Sequence, residues 1–194
     1  MRGMKRLCPI LLACCLLMSV ATASSAVTDK TVFGIELGTR FDVPACGPGD
    51  GAFPARRCFD GTSVNHKAWG ADEYYVSLPR AGMPSYIRGE CRVYTVNGIV
   101  ESVQIATWGF EAQRGALASL TKKYGEPTRV EKKKQNKLRL RFPPLLAEWD
   151  FEDFSVKFDG VISTVDWGRI EVSTHRYRKL VQDHEKQAAA GPSK

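Results

Sequence analysis

Five carboxylates lie close together in the C-terminal part of the chain, a grouping that could support glycoside cleavage. That reaction needs two carboxyl groups flanking the scissile bond, one acting as an acid and the other as a base or nucleophile. The alternation of the surrounding residues instead spreads these acids over a solvated strand face and a turn, which favours a structural role. The five are Glu148, Asp150, Glu152, Asp153 and Asp159.

A serine and a lysine also have the spacing of a known nucleophile and its base. Ser119-Leu120-Thr121-Lys122 matches the serine–lysine motif of penicillin-binding enzymes, in which the lysine takes the proton of the serine. The partner motifs Ser-Asp-Asn and Lys-Thr-Gly do not occur in the sequence. Ser119 and Lys122 are therefore interpreted as polar positions on a helix.

The histidines do not have the spacing of a helical zinc site. His175 and His184 are nine positions apart, whereas two ligands on one helix face need a spacing of about four. His66 lies in an irregular loop. We therefore predict no catalytic residue, no metal ligand and no cofactor.

The first residues of the chain have the pattern of a secretory signal peptide. A basic segment with Arg2, Lys5 and Arg6 precedes the apolar run 7–20, and Ala21-Thr22-Ala23 supplies the small residues of a cleavage site. Cleavage after Ala26 is an alternative, and a lipoprotein processing site ending at Cys14 is a weaker one. The pattern predicts a periplasmic or secreted protein, with lipid anchoring less favoured.

Charge limits the classes of partner. The whole chain carries +7, but the predicted leader holds three basic residues and leaves 25 basic and 21 acidic ones, a net charge of +4. This is mildly basic and far from a nucleic-acid polyelectrolyte. Export also removes the chain from nucleic acid and ATP, so neither is expected as a partner.

Three of the six cysteines leave with the predicted leader, and Cys46, Cys58 and Cys91 remain. An oxidising compartment favours pairing. A Cys46–Cys58 bridge would close a short Gly/Pro-rich loop that burial alone could not hold, and such bridges stabilise by about 2–4 kcal/mol. The alternatives are a bridge from either residue to Cys91, or Cys91 as a small buried apolar residue.

A basic run is the sequence feature with the most functional content. On one face of a strand its side chains would attract acidic partners, such as anionic lipid headgroups, lipopolysaccharide phosphates or an acidic protein. A solvated outer strand, whose lysines prevent edge-to-edge pairing, explains the same residues. The run consists of Lys132, Lys133, Lys134, Lys137, Arg139 and Arg141.

Aromatic residues in the segment 66–75 offer a second candidate surface. Trp69, Tyr74 and Tyr75 would form either an exposed recognition patch or a lid folded onto the core. The sequence favours neither.

The elements that position these residues are mainly hairpins. Asn97-Gly98 predicts a hairpin of 91–96 with 99–107, in which Val96 faces Ile99 and Tyr94 faces Glu101. The more apolar face, and hence the predicted core face, carries Tyr94, Val96, Ile99, Val103 and Ile105; Cys91 lies on the other face.

Two further hairpins follow in the second half of the chain. Segments 128–132 and 137–142 form a polar hairpin, and reflection about Glu152-Asp153 pairs Trp149 with Val156 and Glu148 with Lys157. Earlier strands are predicted at 31–37 and 74–78, with a long loop over 41–71, and a late strand at 165–173.

Two helices complete the pattern. The first runs over 110–124 and ends at Gly125, and the second runs over about 174–190. The order predicts an α+β fold, an antiparallel sheet of hairpins with two helices packed on it. The predicted organisation is a signal peptide at 1–23, a single domain at 27–187 and a flexible tail at 188–194.

Several short segments carry a resemblance when they are taken together. They are Phe33-Gly34-Ile35-Glu36-Leu37-Gly38 with Cys46 and Cys58 after it, Gly98-Ile99-Val100-Glu101-Ser102-Val103, Lys123-Tyr124-Gly125-Glu126-Pro127-Thr128 and 149–158. In this order they resemble an uncharacterised family of small signal-peptide-bearing periplasmic proteins of proteobacteria. The resemblance implies a periplasmic role without known catalysis. Cys91 is not part of its pattern.

The Tyr-Gly-x-Pro-Thr segment before a β-meander is also similar to periplasmic lipoproteins of outer-membrane assembly and to secreted enzyme inhibitors, by fold analogy alone. We expect a small periplasmic binding or accessory protein that acts without catalysis, on a protein or an acidic cell-envelope component, with peripheral membrane contact as an option. The alternatives are an inhibitor or immunity-type protein that caps a secreted enzyme, and a carboxylate-dependent hydrolase.

Overall fold

Asn97 and Gly98 form the turn of the central hairpin, as the sequence predicts. In the computed structural model, which describes residues 29–61, 64–132 and 143–191, their φ angles are +55° and +74°. A turn with two positive φ angles matches the twist of the strands that it joins.

The described strands form a large antiparallel sheet and a small separate hairpin. The sheet has nine strands in the order β3-β5-β6-β7-β11-β10-β9-β8, with β4 paired beside β5, and β1 pairs with β2 alone. The strands are β1 (Thr31–Val32), β2 (Ile35–Glu36), β3 (Cys58–Phe59), β4 (Asn65–His66), β5 (Asp72–Ser77), β6 (Ile87–Val96), β7 (Ile99–Thr107), β8 (Arg129–Lys132), β9 (Leu145–Asp150), β10 (Phe154–Asp159) and β11 (Gly168–Thr174).

Two helices complete the described fold, which is α+β as predicted. They are α1 (Gly109–Tyr124) and α2 (His175–Ala190). Gly125 ends α1 with a positive φ, and its N–H donates to Thr121 O at 2.9 Å. The side-chain oxygen of Thr174 accepts from the Tyr177 N–H at the start of α2. In the described part of the chain neither helix is long and apolar enough to cross a membrane.

The hairpin of β9 and β10 has the predicted register. Trp149 pairs with Val156 and Glu148 with Lys157, and β11 then pairs with the other edge of β10. The predicted polar hairpin is covered only in part. Its first strand, β8, pairs with β9, and its return strand at 137–142 lies outside the described residues.

A register shift in the hairpin of β6 and β7 corrects the predicted pairing. Val96 faces Ile99 as predicted, but Tyr94 faces Ser102 rather than Glu101, because an irregularity lies between Tyr94 and Thr95. An extra residue on one strand shifts which of its side chains share a face with those of the partner.

The prediction of a single apolar face on this hairpin is also wrong, because both faces of the sheet are covered. Val103 and Ile105 pack in the main core with Val93 and Cys91, together with Ala116, Leu120 and Tyr124 of α1. Tyr94 and Val96 alternate with Val93 and pack on the opposite face with Tyr177 of α2. Cys91, expected on the less buried face, is buried in the main core and does not form a disulfide.

The predicted strand at 31–37 is instead a tight hairpin. Phe33 and Gly34 both have positive φ and turn the chain between β1 and β2. The loop that follows contains the short strands β3 and β4, which pair with β5. The disulfide Cys46–Cys58, favoured by the sequence, closes this loop.

α2 ends at Ala190 as predicted, whereas the start of β11 and the predicted flexible tail differ from the sequence analysis. β11 begins at Gly168 rather than at 165, and 161–167 form a connecting loop. α2 continues to Ala190, so the first three residues of the predicted flexible tail are helical.

Candidate functional site

The five predicted carboxylates occupy strand and turn positions. Glu148 forms an ion pair with Arg129 at 3.5 Å and faces Lys157 across the hairpin. Asp153 lies beyond the end of β9 and pairs with Lys30 at 2.5 Å. Asp150 and Glu152 are exposed, and Asp159 is buried near the end of β10.

The serine–lysine pair lies on α1. The Tyr86 hydroxyl donates to Ser119 Oγ at 3.0 Å, and Lys122 is exposed. The three histidines lie in different places: Nδ1 of His66 is 2.5 Å from Asp72, Nε2 of His175 is 2.8 Å from Phe151 O, and His184 packs on Trp69.

Cys46, Asp50 and Cys58 bring possible ligand atoms together near the edge of the sheet. Metal ligation requires thiolates, and these two cysteines are joined in the disulfide. The three residues therefore stabilise the loop instead of binding a metal. Asp50 contributes by accepting a hydrogen bond from the Gly47 N–H at 2.7 Å.

The predicted basic run lies mostly outside the described residues. Lys132 is the exposed last residue of β8. Lys133, Lys134, Lys137, Arg139 and Arg141 fall in the segment 133–142, so their attraction for anionic partners stays a prediction.

The structure separates the predicted aromatic patch into three environments. Trp69 packs with the α2 side of the sheet. Tyr74 packs against Phe41 and Phe59, with ring centroids 4.3 and 5.4 Å away. Only Tyr75 is exposed, at 40% of its surface. Tyr74 and Tyr75 lie on opposite faces of the sheet because adjacent strand residues point in opposite directions.

One face of the sheet carries a row of polar residues that runs across six neighbouring strands. Each of its three cations lies opposite a carboxylate or an amide, and the amide of Gln104 in turn donates to Glu171 at 2.9 Å. Such compensation indicates a solvated face rather than a docking surface. In order from β6 to β8 the row is Arg92, Gln104, Glu171, Lys157, Glu148 and Arg129.

A buried carboxylate lies at one end of this face. Glu73 is only 2% exposed and is held by Lys67 at 2.5 Å and by the Tyr94 hydroxyl at 2.8 Å. Burial acts to raise the pKa of Glu73, but these hydrogen bonds and the charges of Lys67 and Arg92 outweigh it, so the pKa lies below its ordinary value. Each oxygen is occupied, which makes Glu73 a structural anchor.

A second buried carboxylate ties α2 to the sheet. Glu101 of β7 accepts a hydrogen bond from the Thr174 hydroxyl and one from Arg176 Nη1 at 3.0 Å. Both donors lie at the first turn of the helix, so Glu101 fixes the point at which α2 leaves the sheet.

Arg88 and two tryptophans form the most distinctive surface feature. The guanidinium carbon of Arg88 lies 4.1 Å from the Trp108 ring centroid and 4.0 Å from the Trp167 ring centroid. Contact with two indole faces exploits the attraction of a cation for an aromatic quadrupole. Trp108 is nevertheless 46% exposed.

Further exposed apolar side chains surround this stack. Phe53 shares a hollow with Trp108 and lies under Arg80, and Ile162 shares a second hollow with Trp167. Tyr75, also exposed, shares a hollow with Phe53 and Arg88. Of the large apolar side chains exposed in the described ranges, only Val130, on β8, lies away from this end of the sheet. We name the group the aromatic–arginine surface; it consists of Phe53, Arg80, Arg88, Trp108, Ile162 and Trp167.

Three elements position this surface. Arg88 is near the start of β6, Trp108 lies between β7 and α1, and Trp167 precedes β11. Thr107 pairs with Gly168, so the two tryptophans extend that pair by one position. The N–H of Trp108 also donates to Tyr86 O at 3.0 Å.

The sequence interpretation missed this surface. A tryptophan directly after one strand and another directly before a second were its only local signals. They gain meaning only once β7 and β11 are known to be neighbours, and these strands are about sixty positions apart in the chain.

Comparison of the chain with family models, curated proteins and solved structures finds no match. The resemblance to a family of small periplasmic proteins therefore stays a prediction, and the site must be interpreted from its own geometry.

Proposed function

We propose that this chain is a small exported binding protein that acts without catalysis, through the aromatic–arginine surface. The observation that carries the proposal is the stack of Arg88 between Trp108 and Trp167. Tryptophan, tyrosine and arginine are the residues whose truncation most often weakens protein interfaces.

Ordering of the stack supports the proposal. Binding costs conformational entropy when flexible side chains become fixed, and a surface that is already held in place avoids much of that cost. The backbone of the loop that carries Trp167 is tied down on two sides, by Phe110 N–H to Val165 O at 2.8 Å and by Ile162 N–H to Trp167 O at 2.8 Å.

Export is the second part of the proposal. The Cys46–Cys58 disulfide is compatible with an exported protein, because such bonds persist mainly in oxidising compartments. The leader pattern at 1–23 supports the same location.

A capture experiment tests the proposal. The exported protein, without the predicted leader, is purified and immobilised, and it is then incubated with cell-envelope extract. Trp108→Ala and Val130→Ala variants are treated in parallel. Val130 is a matched control because it is similarly exposed, at 50% against 46% for Trp108, but lies on the distant strand β8.

We expect a component that the wild type and Val130→Ala retain in equal amounts and that Trp108→Ala loses at least tenfold. Equal retention by all three proteins would place binding elsewhere on the molecule and contradict the proposal. Circular dichroism and a thermal melt establish that each variant is folded.

A further inference from the structure

We propose that the aromatic–arginine surface binds a segment of a partner protein in which a carboxylate side chain is flanked by apolar residues. This inference rests on the binding function proposed above and names the partner of the same site.

The stack leaves only the in-plane edge of the Arg88 guanidinium for a ligand. Both indole rings lie within about 4 Å of its central carbon. Nε is buried without a hydrogen-bond partner and Nη1 donates at 3.3 Å to Asp166 O, so within the described ranges the end of the guanidinium that carries Nη1 and Nη2 is the part left for a ligand. Two parallel N–H donors on a planar edge match a carboxylate better than any other protein group.

Arg88 and Arg80 also lack a carboxylate of their own. In the described part of the chain neither forms an ion pair, whereas Arg92, four residues further along β6, lies 3.7 Å from Glu73. The contrast with the compensated row across the sheet identifies this end as the place where positive charge is left open to a partner.

The apolar side chains around Arg88 favour a partner segment in which apolar residues flank the carboxylate. Phe53 is 47% exposed, and the hollow that it shares with Trp108 also contains Met83 and Pro84. Burying such side chains around a charged hydrogen bond excludes water from it, which strengthens the bond.

Local charge favours a protein over a polyanionic membrane or lipopolysaccharide. Glu90 lines the hollow of Ile162 and Trp167, and Glu111 lines a further hollow beside Trp108. Asp166 directly precedes Trp167, and its backbone oxygen accepts from Arg88. A surface that binds many phosphates gains from each added cation and loses from each acid. Because acids and arginines are mixed around this surface, it favours a single carboxylate of a partner protein, placed beside Arg88, over a ligand with many negative charges.

The experiment uses an array of 12-residue peptides with a central Glu flanked by Leu, Phe or Trp, each beside a twin that carries Gln. Peptides that bind the labelled, full-length exported protein are then titrated against the wild type and against Arg88→Lys, Trp108→Ala and Val130→Ala. Phosphatidylglycerol vesicles and a chitin tetrasaccharide are titrated in parallel.

We expect Glu peptides to bind at least tenfold more tightly than their Gln twins. Arg88→Lys should abolish that preference because it removes the planar edge, Trp108→Ala should weaken binding to both twins, and Val130→Ala should change neither. A preference that survives in Arg88→Lys, or an array without any Glu-dependent peptide, would overturn the inference.

The two proposals fail in different ways. Vesicle or sugar binding that depends on Trp108, without Glu-dependent peptide binding, would overturn the partner class and leave the binding surface in place. Failure of Trp108→Ala to change the capture from envelope extract would instead remove the surface itself.

Discussion

The hydroxyl of Tyr94 donates a hydrogen bond to Oε1 of Glu73 across 2.8 Å, between neighbouring strands β5 and β6. The same carboxylate pairs with Lys67 through its other oxygen. This arrangement lets a nearly buried glutamate remain ionised, and it makes the stability of the fold depend on pH.

Replacement of Glu73 by Gln should lower the free energy of unfolding at neutral pH by about 1.5–3 kcal/mol, the range for a hydrogen bond to a charged group. The pKa of Glu73 lies below its ordinary value in the folded state. Its contribution is therefore complete above the unfolded value of about 4.3 and is lost as pH falls through the lower folded value.

The measurement is urea unfolding of the wild type and Glu73→Gln from pH 7 to pH 3. The difference in the free energy of unfolding between the two proteins should become smaller as the pH falls. Asp183→Asn is the control: this half-exposed acid forms an ion pair in the described part of the chain with Lys179 on the helix surface, and its replacement should leave the wild-type profile almost unchanged. A gap that widened below pH 4 would contradict the role assigned to Glu73.

Cys91 should be unreactive in the folded protein. Burial raises the pKa of its thiol to about 12, so almost no thiolate exists at pH 8. In the exported chain without residues 1–23, a thiol reagent such as Ellman's should label no cysteine rapidly in the native state. It should label one in guanidinium and three after reduction; rapid native labelling would show that Cys91 is accessible.

Loss of the disulfide should destabilise the domain by about 2–4 kcal/mol. The double variant Cys46→Ala and Cys58→Ala tests this through its denaturation midpoint, since the bridge closes a loop with little regular structure. Added reductant should lower the midpoint of the wild type and leave that of the double variant in place. Equal sensitivity of both proteins to reductant would assign the effect to another cause.

Two glycines of α1 should respond in opposite directions to replacement by alanine. Gly109 has a φ of +51°, and a Cβ there would lie 2.2 Å from Val165 O, so Gly109→Ala should cost about 2 kcal/mol or more. Gly115 lies inside the same helix with no described atom near its Cβ position, so Gly115→Ala should stabilise by about 0.5–1 kcal/mol. Thermal melts compare the two variants, and similar effects would contradict the geometry at Gly109.

The register of β9 and β10 could be predicted from the sequence because the pattern is local. Trp149 and Val156 are few positions apart, and apolar and charged residues alternate on both sides of the turn. The end of α1 could also be predicted from the sequence, since Gly125 and Pro127 mark it directly. The α+β class followed from the order of these elements.

The candidate site could not be predicted in the same way. No residue type marks the irregularity beside Tyr94, so Val103 and Ile105 of β7 were assigned to the same face as Tyr94 rather than to the opposite one. Arg88, Trp108 and Trp167 come from three separate segments, and their contact depends on the nonlocal pairing of β7 with β11. Periodicity reports which face of a strand is apolar but not which strands become neighbours.

The stack also gives the molecule a built-in optical reporter. Of the four tryptophans, Trp149 is sealed in the core, whereas Trp108 is half exposed beneath a guanidinium. Any occupant that covers Trp108 removes water from its indole and shifts its emission to shorter wavelength. Binding can thus be followed by the intrinsic fluorescence of the unlabelled protein. Trp108→Phe is the control, because it lacks the indole whose emission should shift.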